Sequence, residues 1–282
     1  MARESGAPKR RYPHPQSILC YSRILHEVRE DGTVTGSMPV LPDHLDSSGR
    51  MRIGALAPLV DSCAGVLAAR AVHPDWCATL DFKLHLSSPP ASGTVHGVAV
   101  PLRVGNTTVL SENRLVDDNG DLVGVAHITF SRLPARDGGP KSRPPKAGTI
   151  NYAHADEEPR LPVDEYYNLQ FDSDTMAFQL EHHDRIYNSF GSIQGGAMGA
   201  LLERAATLAG ERTFQAPACV RDLHFSYLAP ATTGPFRVAA APIRAGTEGV
   251  VVQVELIDLG RDNRRCAVGT AHAVPTPGGQ RG

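Results

Sequence analysis

Alternating apolar and polar positions mark two short strands at residues 18–28 and 33–40, on either side of the turn residues Glu30, Asp31 and Gly32. An apolar, alanine-rich run at 52–71 predicts the first long helix, beginning or kinking near Pro58. Four strand-like runs follow at 76–86, 93–104, 107–116 and 122–133. They are separated by turn formers: Ser88-Pro89-Pro90, Gly105-Asn106, and Asp117 through Gly120. Two strands, a helix and four strands predict an α+β unit, an antiparallel sheet with one helix packed on it.

Residues 135–150 lose this periodicity and are rich in Pro, Gly and basic side chains, as a linker is. The pattern then returns. Strands are expected at 167–171 and 175–180, a helix at 195–210, and strands at 219–228, 236–243, 249–257 and 265–274. Turn residues repeat at a fixed distance: Asp31 with Asp172, Pro89 with Pro230, Gly93 with Gly234, Gly105 with Gly246, and Asp117 with Asp258, all 141 apart. Asp61 repeats as Glu203, 142 apart. The expected organisation is a flexible arm (1–16), a first domain (17–134), a linker (135–160), a second copy of that domain (161–275) and a flexible tail (276–282).

Chemistry concentrates at 188–210. A glycine-rich turn there opens a helix, leaving the N–H groups around Gly195 and Gly196 without intrahelical partners, where the positive end of the helix dipole favours an oxyanion. The helix is small or apolar almost all round, which predicts burial. Glu203 and Arg204 nevertheless occupy its middle. A carboxylate there either pairs with the arginine or does chemistry.

Charge and composition narrow the classes. A formal net charge of −2 with scattered basic residues argues against nucleic acid. The first residues lead into no signal-like core, and no run reaches membrane-spanning length, so a cytoplasmic protein without membrane association is expected. Five separated cysteines without a C-x-x-C pair are expected as reduced thiols. His182, His183 and Asp184 have no further ligand at a matching spacing, so no metal is expected.

Two such units in tandem resemble the double-hotdog acyl-CoA thioesterases, each unit a sheet wrapped around a long central helix. The second copy resembles the phenylacetic-acid-pathway type. Its Asn188, Gln194-Gly195-Gly196 and Glu203 match the motif of an Asn, a His-Gly-Gly loop and an acid eight residues past the first glycine, with Gln194 in place of the His. The segments from Asp81 and from Asp222, each running to a proline turn, extend the likeness. The resemblance implies hydrolysis of an acyl-CoA or acyl-carrier thioester, with no cofactor beyond the coenzyme A of the substrate, in a homo-oligomer.

It also implies that each site spans both units. One would combine Asp61 with Asn188 and the Gly195 N–H as catalytic groups, with Gln194 and Gly196 binding substrate. Asp61 would act as general base or as nucleophile, and Asn188 would hold water or only shape its turn. A second, weaker site would set Glu203, with Thr207 and Gly54, against Asp46, Arg52 and Ile53 at the Asn, His and first-Gly positions. His85 and His224 are expected on the sheet face near the acyl pocket. The alternatives are a non-catalytic acyl-binding or scaffold protein and, lower, a 2-enoyl thioester hydratase, whose D-x-x-x-x-H pattern is missing at Asp43, Asp46 and Asp61.

Overall fold

The computed structural model describes residues 13–135, 142–153 and 160–276. The first half runs α1 (Ile18–Tyr21), β1 (Leu25–Val28), β2 (Val34–Pro39), α2 (Ile53–Val72), β3 (Trp76–Leu86), β4 (Thr94–Val104), β5 (Thr108–Val116) and β6 (Leu122–Leu133). After β7 (Gly148–Asn151) the second half repeats this order. It comprises α3 (Val163–Tyr166), β8 (Gln170–Asp172), β9 (Ala177–Leu180), α4 (Gly195–Phe214), β10 (Ala218–Tyr227), β11 (Phe236–Ala245), β12 (Val250–Asp258) and β13 (Arg264–Pro275).

All thirteen strands join in one sheet, ordered β7-β1-β2-β4-β5-β6-β3-β10-β13-β12-β11-β9-β8. The halves meet where β3 and β10 pair antiparallel, Asp81 opposite Ser226 and His85 opposite Asp222. Phe82 and Phe225 stack at this seam, ring centroids 5.0 Å apart. The fold is therefore a double hotdog whose two sheets form one surface around two adjacent helices.

Those helices are buried on nearly every side because each faces its own sheet and the other helix. Glycine allows their close approach. A Cβ on Gly196 would lie 2.6 Å from the Pro58 nitrogen, and one on Gly199 2.8 Å from the Ala57 Cβ. By length and composition α2 could cross a membrane, contrary to the expectation that no run is long enough. Its burial inside the sheet identifies it as the core helix instead.

The hairpin expectations need correction at their starts. Residues 18–21 and 163–166 each form a single helical turn, ended by Arg23 and Asn168, both at φ 52°. The strands begin only after these left-handed residues, so 18–28 is not one strand and Tyr167 precedes β8. Within the expected linker, residues 148–151 are the edge strand β7, paired with β1. Nor are the described ends loose. The Tyr166 hydroxyl donates to the Gln16 carbonyl at 2.8 Å, and Thr276 N–H donates to the Pro217 carbonyl at 3.0 Å. The rest of the arm and tail lies outside the described residues.

Candidate active site

Asp61 lies on α2, two turns from its start, and its carboxylate reaches into the second half. Gln194 Nε2 donates to Oδ2 at 2.8 Å, and Thr79 Oγ1, from β3, donates to Oδ1 at 3.1 Å. The Gly196 N–H lies beside this carboxylate and favours its charged form. Burial opposes these donors and wins: the Asp61 carboxyl is pushed up to about 6.

The opening turn of α4 is accounted for donor by donor. The Ala197 N–H bonds the Gln194 side-chain oxygen at 2.7 Å, and the Met198 N–H bonds the Gln194 carbonyl at 2.9 Å. The Gly196 N–H lies beside the Asp61 carboxylate. The Gly195 N–H makes no hydrogen bond among the described residues. Its peptide is held from the other side by the Tyr227 hydroxyl, which donates to the Gly195 carbonyl at 2.8 Å. A Cβ on Gly195 would sit 2.7 Å from the Asp61 Cγ, so only glycine lets the carboxylate rest there.

Asn188 makes no hydrogen bond to this group among the described residues. Its Oδ1 accepts the N–H groups of Phe190 (2.9 Å) and Ser192 (3.2 Å), and its Nδ2 donates to Ser192 Oγ (2.9 Å). Asp46 closes the corresponding loop in the same way, accepting from the N–H groups of Ser48 (2.8 Å) and Arg50 (3.1 Å). Both residues build the loop that delivers the next half-site residue, Gln194 or Arg52. The geometry gives Asn188 a positioning part, and no contact to hold a water against Asp61.

The Glu203 group is built differently. Glu203 does not pair with its neighbour Arg204, which turns to Asp164 at 2.8 Å and packs over the Phe178 ring. Instead Arg52 Nη1 stands 3.5 Å from Glu203 Oε2, and Thr207 Oγ1 donates to Oε1 at 2.9 Å. Here the carboxylate lies over Gly54, whose Cβ would fall 2.6 Å from Oε2. Asp61 by contrast covers Gly195, the first residue of the partner helix rather than the second. That shift of one residue is why Ile53 is tolerated in one copy and glycine is needed in the other. A cavity of about 330 Å³ opens at Glu203, bordered by Asp46, Arg52, Arg204, Thr207 and Cys219. Over the loop beside Asp61, Phe190 meets Trp76 edge-on, centroids 5.2 Å apart.

Sequence reasoning missed Thr79 and Tyr227. Neither belongs to a motif, and a hydroxyl at an inward strand position was the only signal. The histidines are also placed differently from expectation. His85 pairs with Asp222, and His224 with Asp81 at 3.0 Å, on the solvent side of the sheet and away from the helices. His183 Nε2 contacts the Tyr167 carbonyl at 3.0 Å, and His182 packs on Tyr187.

Two family models match the chain, together over well more than half of it. The acyl-CoA thioesterase N-terminal domain matches residues 184–274, and the acyl-CoA thioesterase C-terminal domain matches residues 39–129. A Vibrio cholerae protein provisionally named an esterase is 25% identical over 116 residues, 41% of this chain and 77% of its own length. The crystal structure of an acyl-ACP thioesterase from Bacteroides thetaiotaomicron superposes with a TM-score of 0.59 at 14% identity, covering 86% of this chain and 98% of that one. The crystal structure of a Novosphingobium aromaticivorans protein provisionally named a thioesterase gives 0.58 at 17% identity, covering 89% and 98%. At these identities the two structures show a shared fold.

Proposed function

Because this chain belongs to the acyl-CoA thioesterase family and is a thioester hydrolase, we propose that it cleaves acyl thioesters of coenzyme A or a carrier at Asp61. The observation that carries this reading is the unpaired Gly195 N–H beside the Asp61 carboxylate. A thioester carbonyl placed on that N–H gains a fixed donor at a helix N-terminus as its oxygen becomes negative, an effect worth about 3 kcal/mol per donor elsewhere. Asp61, ionised at neutral pH yet more basic than an ordinary carboxylate, takes a proton from water or attacks the carbonyl carbon. On the first route the activated water adds and the thiolate leaves, taking the proton to become the thiol; on the second the thiolate leaves as a mixed anhydride forms with Asp61, and water then cleaves that anhydride to the acid and free Asp61. Gln194 and Thr79 orient the carboxylate, Gly196 steadies it, and Asn188 holds the loop.

A panel of short, medium, long and aromatic acyl-CoAs, assayed for free thiol, tests hydrolysis itself. No release from any member would contradict it. Single turnover in ¹⁸O-labelled water separates the two routes. Label in the Asp61 side chain means nucleophilic attack, and label only in the product acid, with no acyl-Asp61 trapped by hydroxylamine, means general base.

One observation favours a second reading, hydrolysis at Glu203: an open cavity lies there. Arg52 beside Glu203 and the Ile53 side chain at the helix start argue against it.

The same proposal places the enzyme in the cytoplasm as a homo-oligomer that needs no metal or added cofactor. In support of assembly, Val98, Val100, Leu102 and Val104 are exposed along β4. Light scattering that returns a monomer mass would count against it.

A further inference from the structure

Tyr227 ends β10, and its hydroxyl donates to the Gly195 carbonyl at 2.8 Å. That carbonyl and the Gly196 N–H are the two ends of one peptide group, whose N–H end lies beside the Asp61 carboxylate. In an α-helix the carbonyl end already accepts from the N–H four residues along, so the phenol is a second donor to it. A second donor on the carbonyl polarises the peptide and strengthens the N–H at its other end. Tyr227, the Gly195–Gly196 peptide and Asp61 thus form one polarised chain from β10 across α4 to α2.

Such a pin answers a need particular to this helix. Contacts with Asp61 and Pro58 exclude a Cβ at both Gly195 and Gly196. The first two residues of α4 therefore have no side chains to pack, and glycine has the most conformational freedom to lose. The other copy opens α2 on Ile53, a buried side chain that holds the helix start by packing. The residue corresponding to Tyr227 there is Leu86, 141 positions earlier, which has no hydroxyl to donate. Of the two copies, the one whose helix opens on two glycines carries the phenol. Its ring is itself fixed, tilted against Phe225 with centroids 5.1 Å apart.

We propose that Tyr227 is a positioning residue for thioester hydrolysis, holding the glycine-opened start of α4 so that its N–H groups stay aimed at the Asp61 carboxylate and the incoming carbonyl. The inference rests on reaction at Asp61. The titratable groups that feel the Asp61 charge are Cys77, on β3, and Tyr227 itself, which also feels Asp81. Burial pushes the thiol up to about 11 and the phenol well above its ordinary value, so both are neutral while Asp61 titrates.

The test compares the wild type with Tyr227→Phe, which removes the hydroxyl and keeps the ring, and with a protein carrying fluorotyrosine at position 227, a stronger donor. Asp61 is followed by ¹³C NMR of labelled aspartate carboxyl groups, its signal being the one missing from Asp61→Asn. In Tyr227→Phe it should titrate higher by about half a unit, and in the fluorotyrosine protein lower. At about pH 8, where Asp61 is ionised in every case, kcat of Tyr227→Phe should fall about 3–10-fold with KM within about twofold. That fall reports position and not protonation. A merely structural tyrosine would lower the melting temperature and leave both the Asp61 titration and the kcat of folded enzyme in place, which overturns the inference. Should Tyr227→Phe fail to fold, the fluorotyrosine protein decides by the same titration. The titration needs no substrate, so the two readings fail separately. Shifted titrations in a protein that hydrolyses no thioester count against hydrolysis and not against the pin, and unshifted titrations with turnover intact remove the pin alone.

Discussion

Gln194 Nε2 sits 2.8 Å from Asp61 Oδ2, a hydrogen bond that crosses from the second half to the first. The same side chain caps α4 through its oxygen, so its amide is fixed in one orientation by two partners. A donor to a carboxylate favours the ionised form. Gln194→Ala should therefore move the acid limb of the pH–rate profile to higher pH, lower turnover at pH 6, and cost about 1 kcal/mol as a lost cap. An unmoved limb would mean that this bond does not tune Asp61.

Asp61 should also shape stability against pH. Its folded value of about 6 exceeds the ordinary aspartate value of 3.8. Between these values the native protein holds a proton that the unfolded chain has released. Stability therefore falls as pH rises through this window, by up to about 3 kcal/mol. Denaturant titrations from pH 4 to 8 should show that slope in the wild type and a flatter one in Asp61→Asn. Parallel slopes would contradict the buried, strained carboxylate.

The two glycines opening α4 should respond differently to alanine. At Gly195 the new methyl group meets the Asp61 carboxylate, a side chain that can move. At Gly196 it meets the Pro58 backbone, which cannot. Gly195→Ala should lose most activity for about 1–2 kcal/mol of stability, and Gly196→Ala should cost more stability, about 3 kcal/mol. Thermal melts alongside initial rates separate the cases. Full activity in Gly195→Ala would remove the oxyanion role.

The repeat was legible because turn residues must recur wherever a backbone does. Pro89 and Pro230, or Gly93 and Gly234, keep their places under any side-chain chemistry, and both glycines adopt positive φ here. Most strands of each sheet, β7 excepted, and the extent of α2 followed from periodicity. The single helical turns before β1 and β8 did not, since four residues carry too little pattern. In the site, Gly195 could be named because it opens a helix, and Asp61 and Gln194 because the family resemblance assigns them roles there. The resemblance sets Arg52 against Glu203, as the structure places them; Thr79 and Tyr227 depend on which strands lie alongside, which sequence order alone does not state. For Asn188 the turn-shaping alternative has direct support, in loop bonds that Asp46 makes equally.

Turnover of the best acyl-CoA by Asp61→Asn and Glu203→Gln, measured side by side, tests the assignment of the reacting carboxylate most directly. Asp61→Asn should lose about 10²–10⁴-fold in kcat, the contribution usual for a positioned base. Glu203→Gln should keep most of the rate, its cost appearing as lower thermal stability because Arg52 loses its ionic partner. The reverse order, with Glu203→Gln inactive but folded and Asp61→Asn active, would contradict the assignment and move the chemistry to the open cleft.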